Sequence, residues 1–171
     1  MELLIVVDMQ KDFIDGALGT AEAQAIVAPA ADKINAWREK GGMVLFTRDT
    51  HDKDYLQTQE GKLLPVEHCQ VRTPGWQIDE RLPVNGAPVV DKPTFGSLEL
   101  IRVVRMLNPT AITLIGICTD ICVISNAMLL KAGLPELPIT VDAACCAGVT
   151  PERHNNALAA MAACQIHIIN N

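Results

Sequence analysis

Six short apolar runs punctuate the chain, at residues 3–7, 43–46, 88–90, 111–117, 137–141 and 166–169, and they hardly alternate with polar residues. A strand with one face in water alternates. A strand buried on both faces does not, and parallel sheets are buried this way because their crossovers lay helices on both sides. Helical segments separate most of the runs. Leu100, Val103, Val104 and Leu107 recur at helical spacing behind Ser97, a suitable N-cap. Thr150-Pro151-Glu152 places a cap, a first-turn proline and an acid at the start of a helix expected to reach about Cys164. Asp120 is expected to cap a further helix that continues to about Lys131 and ends at Gly133. Over residues 20–40, Pro29 predicts a helix that is broken or starts late. The alternation predicts one domain over residues 1–171, a three-layer α/β/α fold around a mostly parallel six-stranded sheet with Rossmann-like topology.

Composition narrows the function classes. The net charge is −6 and the 14 basic residues are scattered, which argues against nucleic acid as a partner. No apolar stretch approaches the roughly 20 residues of a membrane span, so no membrane role is expected. Met1-Glu2 leads straight into the first apolar run, without a basic leader or a small-residue cleavage site, and a cytoplasmic location is the expectation. In such a reducing compartment the six cysteines, at 69, 118, 122, 145, 146 and 164, are expected as free thiols. Cys118 and Cys122 lack the two-residue gap of zinc ribbons and redox pairs. Cys145-Cys146 follow a predicted strand end in an Ala-rich setting and read as structural. No Gly-x-Gly-x-x-Gly follows the first run, which speaks against a dinucleotide-binding module.

In open parallel sheets, ligands bind beyond the carboxyl ends of the strands. Here the first run ends in Asp8, the second in Arg48-Asp49, the third in Asp91-Lys92 and the fourth in the turn from Cys118 to Cys122. Each has a plain explanation alone: Asp8 as an exposed strand-end carboxylate, Lys92 as a solvated charge, Cys122 as packing. Together they bring an acid, a cation and a thiol to one crevice. Cys122 is expected in the first turn of the helix capped by Asp120, where free N–H groups and the helix dipole favour the nucleophilic thiolate. The same N–H groups can hold an oxyanion.

The stretch 49–85 is long, polar and rich in Pro, Gly and Gln, and long irregular segments in compact domains tend to be functional. It is expected to form the lid and wall of a site. It carries Asp49, His51, Glu60 and His68, two carboxylates and two imidazoles, a set suited to Zn²⁺, Mn²⁺ or Fe²⁺. The bland alternative is a group of surface residues. His154 and His167 read as structural.

These motifs resemble the isochorismatase-like cysteine hydrolases, a family that includes nicotinamidases. Val7-Asp8-Met9-Gln10-Lys11-Asp12-Phe13 is similar to the family's V-D-M-Q-N-D-F opening, and Phe46-Thr47-Arg48-Asp49-Thr50-His51 to its second-strand motif. Lys92 falls where the family lysine follows strand three, and Gly116 to Val123 resembles the nucleophile motif G-x-x-T-D-x-C-V. The resemblance spans nearly the whole chain.

The resemblance implies a hydrolase of non-peptide C–N bonds with a triad of Cys122, Asp8 and Lys92. Asp8 would take the thiol proton and pass it to the leaving amine, Lys92 would hold both charges, and an acyl-thioester would form and be hydrolysed. A cis peptide at Ile117–Cys118 is implied, turning the Cys118 N–H toward the oxyanion beside that of Cys122. In the nicotinamidase branch, Asp, His and His, in some members with Glu, bind a metal that holds the pyridine nitrogen, which implies Asp49, His51, Glu60 and His68 as ligands here and zinc as the ion. Phe13 and Trp76 are the candidates to sandwich a flat ring, with Trp76 as loop core the alternative. Nicotinamide, turned to nicotinate and ammonia, is the implied small-molecule substrate, a step in NAD metabolism. Another small amide, a carbamoyl or a ureido compound is the alternative. Isochorismatases proper cleave a vinyl ether and need no such metal site. Relatives usually assemble, so a homo-oligomer is expected. Two departures stand out: Pro93-Thr94-Phe95-Gly96-Ser97 replaces the usual Ser-Ala-Phe after the lysine, and Cys118 stands where Thr or Ala is usual. Outside the resemblance, a bound metal could activate water directly with Cys122 incidental, or the chain could be a binding module without turnover.

Overall fold

A computed structural model describes residues 1–171. The six apolar runs become six strands of one sheet: β1 (Glu2–Val7), β2 (Met43–Asp49), β3 (Val89–Lys92), β4 (Ala111–Ile117), β5 (Ile139–Ala147) and β6 (His167–Ile169). The order is β3-β2-β1-β4-β5-β6, and every neighbouring pair is parallel. Leu3, Leu4, Ile5, Val6 and Val7 of the central strand are all fully buried, each contributing about 1.5–3 kcal/mol of hydrophobic stabilisation. That burial on both faces is why the run carries no polar alternation.

The helices are α1 (Lys11–Ile14), α2 (Ala21–Ala25), α3 (Val27–Glu39), α4 (Gln59–Leu63), α5 (Leu98–Leu107), α6 (Ile124–Gly133) and α7 (Pro151–Ala163). On one side of the sheet α5 packs on α6 and α6 on α7. On the other, α2 and α3 pack together, and Lys33 of α3 reaches Asp142 of β5 at 2.8 Å. Ser97 caps α5 through the Leu100 N–H, and Thr150 caps α7 through the Arg153 N–H, both as expected. The break in the 20–40 region falls at Ile26. Pro29 sits in the first turn of α3, where its missing N–H costs no helical bond. No helix is long and apolar enough to cross a membrane.

Three differences from the sequence expectations bear on the site. The strand β2 continues through Thr47, Arg48 and Asp49, which pair with Val90, Asp91 and Lys92 of β3, so polar residues extend the ladder. The strand β5 runs on to Ala147, because Ala143, Cys145, Cys146 and Ala147 are small enough to be buried there. Cys145 and Cys146 therefore lie within the strand rather than after it. Asp120 does not cap a helix. A π-helical turn (Thr119–Val123) precedes α6 without a side-chain cap, and Asp120 instead accepts from the Val149 N–H at 3.0 Å and faces Arg153 Nε at 2.6 Å.

From β1 the chain moves outward to β2 and β3, and from β4 it moves the other way to β5 and β6. The ends of these adjacent strands therefore bound a crevice, the usual ligand position in such sheets. Gly116, opposite Val7 in the ladder, has φ +122°, and a Cβ there would run into the Val7 carbonyl. A glycine is required for the two strand ends to approach this closely.

Candidate active site

Strand periodicity sorts the polar strand ends. Successive side chains point to opposite faces, so Arg48 and Asp91 pair outward, at 2.7 Å, while Thr47, Asp49 and Lys92 turn into the crevice. Asp8 leaves β1 in a left-handed conformation, φ +48°, its N–H bonded to the Thr47 carbonyl and its Oδ1 accepting from the Thr47 hydroxyl at 2.6 Å. The fully buried Lys92 ammonium lies 2.5 Å from Asp8 Oδ2, 3.3 Å from Asp49 Oδ1 and 3.5 Å from Cys122 Sγ, and donates to the Thr94 carbonyl at 3.0 Å. The structure thus unites Asp8, Lys92 and Cys122, and none is a solvated surface residue. Asp8 Oδ2 meets Lys92 as a charge contact out of hydrogen-bond alignment, so this buried oxygen has no aligned donor.

The electrostatics correct one expectation. Burial, reinforced by the Asp8 charge and only partly opposed by Lys92, holds the Cys122 thiol well above its ordinary value. The resting sulfur is therefore the neutral thiol, not the thiolate expected at a helix start, because desolvation outweighs backbone dipoles here. Burial also raises Asp8 against the pull of Lys92, making it a stronger base than a free carboxylate. For Lys92, burial favours the neutral amine, but Asp8, Cys122 and Asp49 outweigh it and keep the ammonium charged. The Ile117–Cys118 peptide is cis, and the Cys118 N–H donates to no acceptor in the protein.

The second constellation forms as expected. Asp49, His51, Glu60 and His68 each present a ligand atom within 4.8 Å of the others. His51 Nε2 is 2.8 Å from Asp49 Oδ2 and 3.6 Å from Glu60 Oε1, and His68 Nε2 is 3.5 Å from Asp49 Oδ2. The Val66 carbonyl engages His68 Nδ1 at 2.8 Å, which leaves Nε2 to face the cluster. Local sequence explains these positions. Thr58 caps α4 and so presents Glu60, while His51 and Gln70 form a short bridge that ties the two histidine-bearing segments together. Burial would raise Asp49, but hydrogen bonds to His51 and His68 and the Lys92 charge hold it well below the carboxylate range. Burial and the Asp49 charge raise Glu60. A set of two imidazoles and two carboxylates, mostly buried and converging on one point, fits a divalent cation of the zinc type.

Both constellations border one cavity of about 260 Å³, walled by Phe13, Leu18, Leu64, Phe95, Ile121 and Val149, with Thr20 and Arg153 also lining it. Phe13 is among the lining residues, 5.4 Å from the His68 ring. Trp76 is not. Its indole stacks on the Arg48 guanidinium at 3.6 Å and donates to Thr50 Oγ1, so it belongs to the loop core. The atypical segment after Lys92 still builds the wall through Phe95 and the Lys92 contact through Thr94.

Three supporting residues were given no role by the sequence reading, although Gln10 and Thr47 lie within its motifs. Thr47 orients Asp8. Gln10 clasps the Asp49 backbone from both sides, accepting from its N–H at 2.7 Å and donating to its carbonyl at 2.8 Å. Asn126, fully buried, accepts from Ser97 N and donates to the Phe95 and Cys122 carbonyls, pinning the wall to the cysteine turn. The signal for Asn126 was present: a polar residue four positions after Cys122, one helical turn on, in an apolar run.

A buried cysteine beside a buried acid and a buried lysine, at the switch point of a parallel sheet in a three-layer α/β fold, points to cysteine hydrolases as a class. The isochorismatase domain model matches residues 2–171, and the chain belongs to the isochorismatase family. It is a hydrolase of that family, in the group that cleaves non-peptide C–N bonds. Among solved structures, it is similar to the pyrazinamidase of Pyrococcus horikoshii in complex with zinc, at 28% identity over 99% of both chains and a TM-score of 0.87. The pyrazinamidase/nicotinamidase from Streptococcus mutans matches at 26% identity over 99% of this chain and 100% of that one, with a TM-score of 0.89. A nicotinamidase/pyrazinamidase from Bacillus subtilis matches at 25% identity over 98% of both chains, with a TM-score of 0.86.

Proposed function

We propose that the chain is an amidohydrolase of the nicotinamidase type, converting nicotinamide and water to nicotinate and ammonia through a thioester on Cys122. The observation that carries this reading is the sharing of one small cavity by the Cys122 group and the four-residue metal cluster. Its volume lies near the lower end of ligand pockets, which begin at about 300 Å³, and its apolar walls suit a flat ring.

In this reading the neutral Cys122 thiol gives its proton to Asp8, whose buried oxygen lacks an aligned donor, as sulfur attacks the amide carbonyl. Lys92 stabilises the charge on both partners. The developing oxyanion takes the free Cys118 N–H. Asp8 then protonates the departing nitrogen, and water releases nicotinate from the thioester. Asp49, His51, Glu60 and His68 would hold the metal, with zinc the ion suggested by this donor set and by the zinc-bound Pyrococcus horikoshii pyrazinamidase. When bound there, the ion supplies a Lewis-acid contact for the pyridine nitrogen.

Ammonia release over a panel of small amides tests the reading, with Cys122→Ala measured beside wild type. Nicotinamide is expected to turn over, and the variant to lose activity about a thousandfold or more. A fully active variant refutes the thioester, and a metal-loaded enzyme that ignores nicotinamide refutes the substrate. Metal content of His51→Ala and Glu60→Ala is expected to fall; unchanged stoichiometry would remove those residues as ligands.

A further inference from the structure

We propose that Arg153 gives the site a second class of substrate, small amides whose leaving amine carries a carboxylate. The inference rests on the hydrolytic reading above and adds an anion subsite to it. Arg153, in the first turn of α7, is the one arginine lining the cavity. Its Nε lies 2.6 Å from Asp120 Oδ2, a close ion contact without hydrogen-bond alignment, and Asp120 Oδ1 is taken by the Val149 N–H. The Asp120 side chain is only 6% exposed and that of Arg153 is 53% exposed, so the arginine is tethered from one edge while its far end stays open. Neither terminal amino group of Arg153 donates to a protein acceptor. A guanidinium with two free, parallel donors bordering the cavity is the group best shaped to take a carboxylate.

Strand order supplies the direction. The metal cluster rises from the end of β2, Asp8 from β1 and Cys122 from β4, while Arg153 follows β5. Neighbouring strands are about 4.8 Å apart, so the metal cluster and Arg153 flank the sulfur from opposite sides. An acyl group seated on the metal side, with its carbonyl carbon at Cys122 and its oxygen at the Cys118 N–H, directs the carbonyl's third substituent away from the ring. That substituent is the leaving nitrogen. A carboxylate one carbon beyond it then lies on the side of the site that Arg153 borders, within the field of its guanidinium. The chemistry is the same hydrolysis. Sulfur bonds to the carbonyl carbon, the C–N bond breaks, the thiol proton carried by Asp8 goes to the leaving amine, and an amino acid departs instead of ammonia. Water then cleaves the thioester and returns the proton to sulfur.

N-nicotinoylglycine, which keeps the ring and makes glycine the leaving group, is the probe, assayed against nicotinamide in wild type, Arg153→Gln and Arg153→Lys. Wild type is expected to release glycine. The ratio of kcat/KM for N-nicotinoylglycine to that for nicotinamide is expected to fall about tenfold or more in Arg153→Gln, mainly through KM, and to recover in part in Arg153→Lys. Because the ratio is taken within one preparation, loss of folded protein cancels. Nicotinamide turnover without glycine release, or an unchanged ratio in Arg153→Gln, overturns the subsite alone. Failure with both compounds overturns the nicotinamidase reading, and the subsite falls with it.

Discussion

Lys92→Met removes the charge at the centre of the site while keeping most of the side chain's length. Lys92 is fully buried and lies within 3.3 Å of two carboxylates, Asp8 and Asp49. Deleting one partner of a buried ion pair costs about 3–5 kcal/mol. A second route gives a ceiling. The orphaned Asp8 can escape by binding a proton, which at pH 7 costs a carboxyl of ordinary value about 4 kcal/mol. Asp49 keeps His51 and His68 and does not add a comparable cost. Both routes give about 4 kcal/mol, a large part of the roughly 5–15 kcal/mol that holds a domain together. For a chain of this length that corresponds to a fall in Tm of about 8–16 °C.

The pH dependence separates this cause from simple misfit. Burial already raises Asp8, and Lys92 is the main influence holding it down, so the variant raises it further. An acid whose folded value exceeds its unfolded value binds its proton first in the folded state, so its destabilisation grows as pH rises through that window and is relieved as pH falls. The difference between variant and wild type is therefore expected to shrink by up to about 1.4 kcal/mol per pH unit as pH falls from 7, until pH reaches the raised value that Asp8 already has in the wild type. Urea unfolding of both proteins with zinc present, extrapolated to water at each pH, measures this. A deficit below about 1 kcal/mol at pH 7, or one that does not change with pH, would refute the view that Lys92 neutralises Asp8.

Asn126→Ala strips partners from Ser97 N and from the carbonyls of Phe95 and Cys122, and is expected to cost about 1–3 kcal/mol and to lower kcat as the wall separates from the cysteine turn. Thermal unfolding beside amide turnover checks both; wild-type values in the two assays would dismiss the clamp. His154, bonded to Thr119 at 2.7 Å, is held below the usual imidazole value by burial, against the charge of Asp120. Its folded state resists protonation, so stability is complete above about pH 6.5 and declines as pH drops below it. His154→Gln is expected to flatten the fall in Tm between pH 7 and 5, and an unaltered slope would rule His154 out as its source.

The centres of the strands were legible because burial on both faces leaves an uninterrupted apolar run. Their ends were not. In β2 the ladder continues through Thr47, Arg48 and Asp49, where hydropathy has already changed sign, and in β5 through small alanines and cysteines. Motif spacing located Asp8, Lys92, Cys122 and the four candidate ligands, since short fixed patterns at strand ends map onto one crevice once the strands are parallel. The ring-stacking place for Trp76, against its loop-core alternative, and the capping role for Asp120 failed for one reason: a side chain in a loop or turn is oriented by long-range partners. For Trp76 that partner is Arg48, and for Asp120 it is Val149 and Arg153. The protonation of Cys122 was misread because a helix start is visible in sequence, whereas full burial beside a carboxylate is not.

Asp49 shows why the two constellations are one electrostatic unit. Its Oδ1 lies 3.3 Å from the Lys92 ammonium, and its Oδ2 2.8 Å from His51 and 3.5 Å from His68. Register makes this unavoidable: Asp49 pairs with Lys92 across the β2–β3 ladder, and both turn to the same face. A cation at the four-residue cluster would draw on the charge that Asp49 now shares with Lys92, and Lys92 would then lean more fully on Asp8 and the Cys122 sulfur. Filling the cluster is thus expected to lower the thiol's pKa as well as to hold the ring. The rate of Cys122 alkylation by a small neutral reagent, followed against pH with the cluster filled and stripped, reads that coupling directly. Superimposable profiles would show that the two groups share a cavity and nothing more.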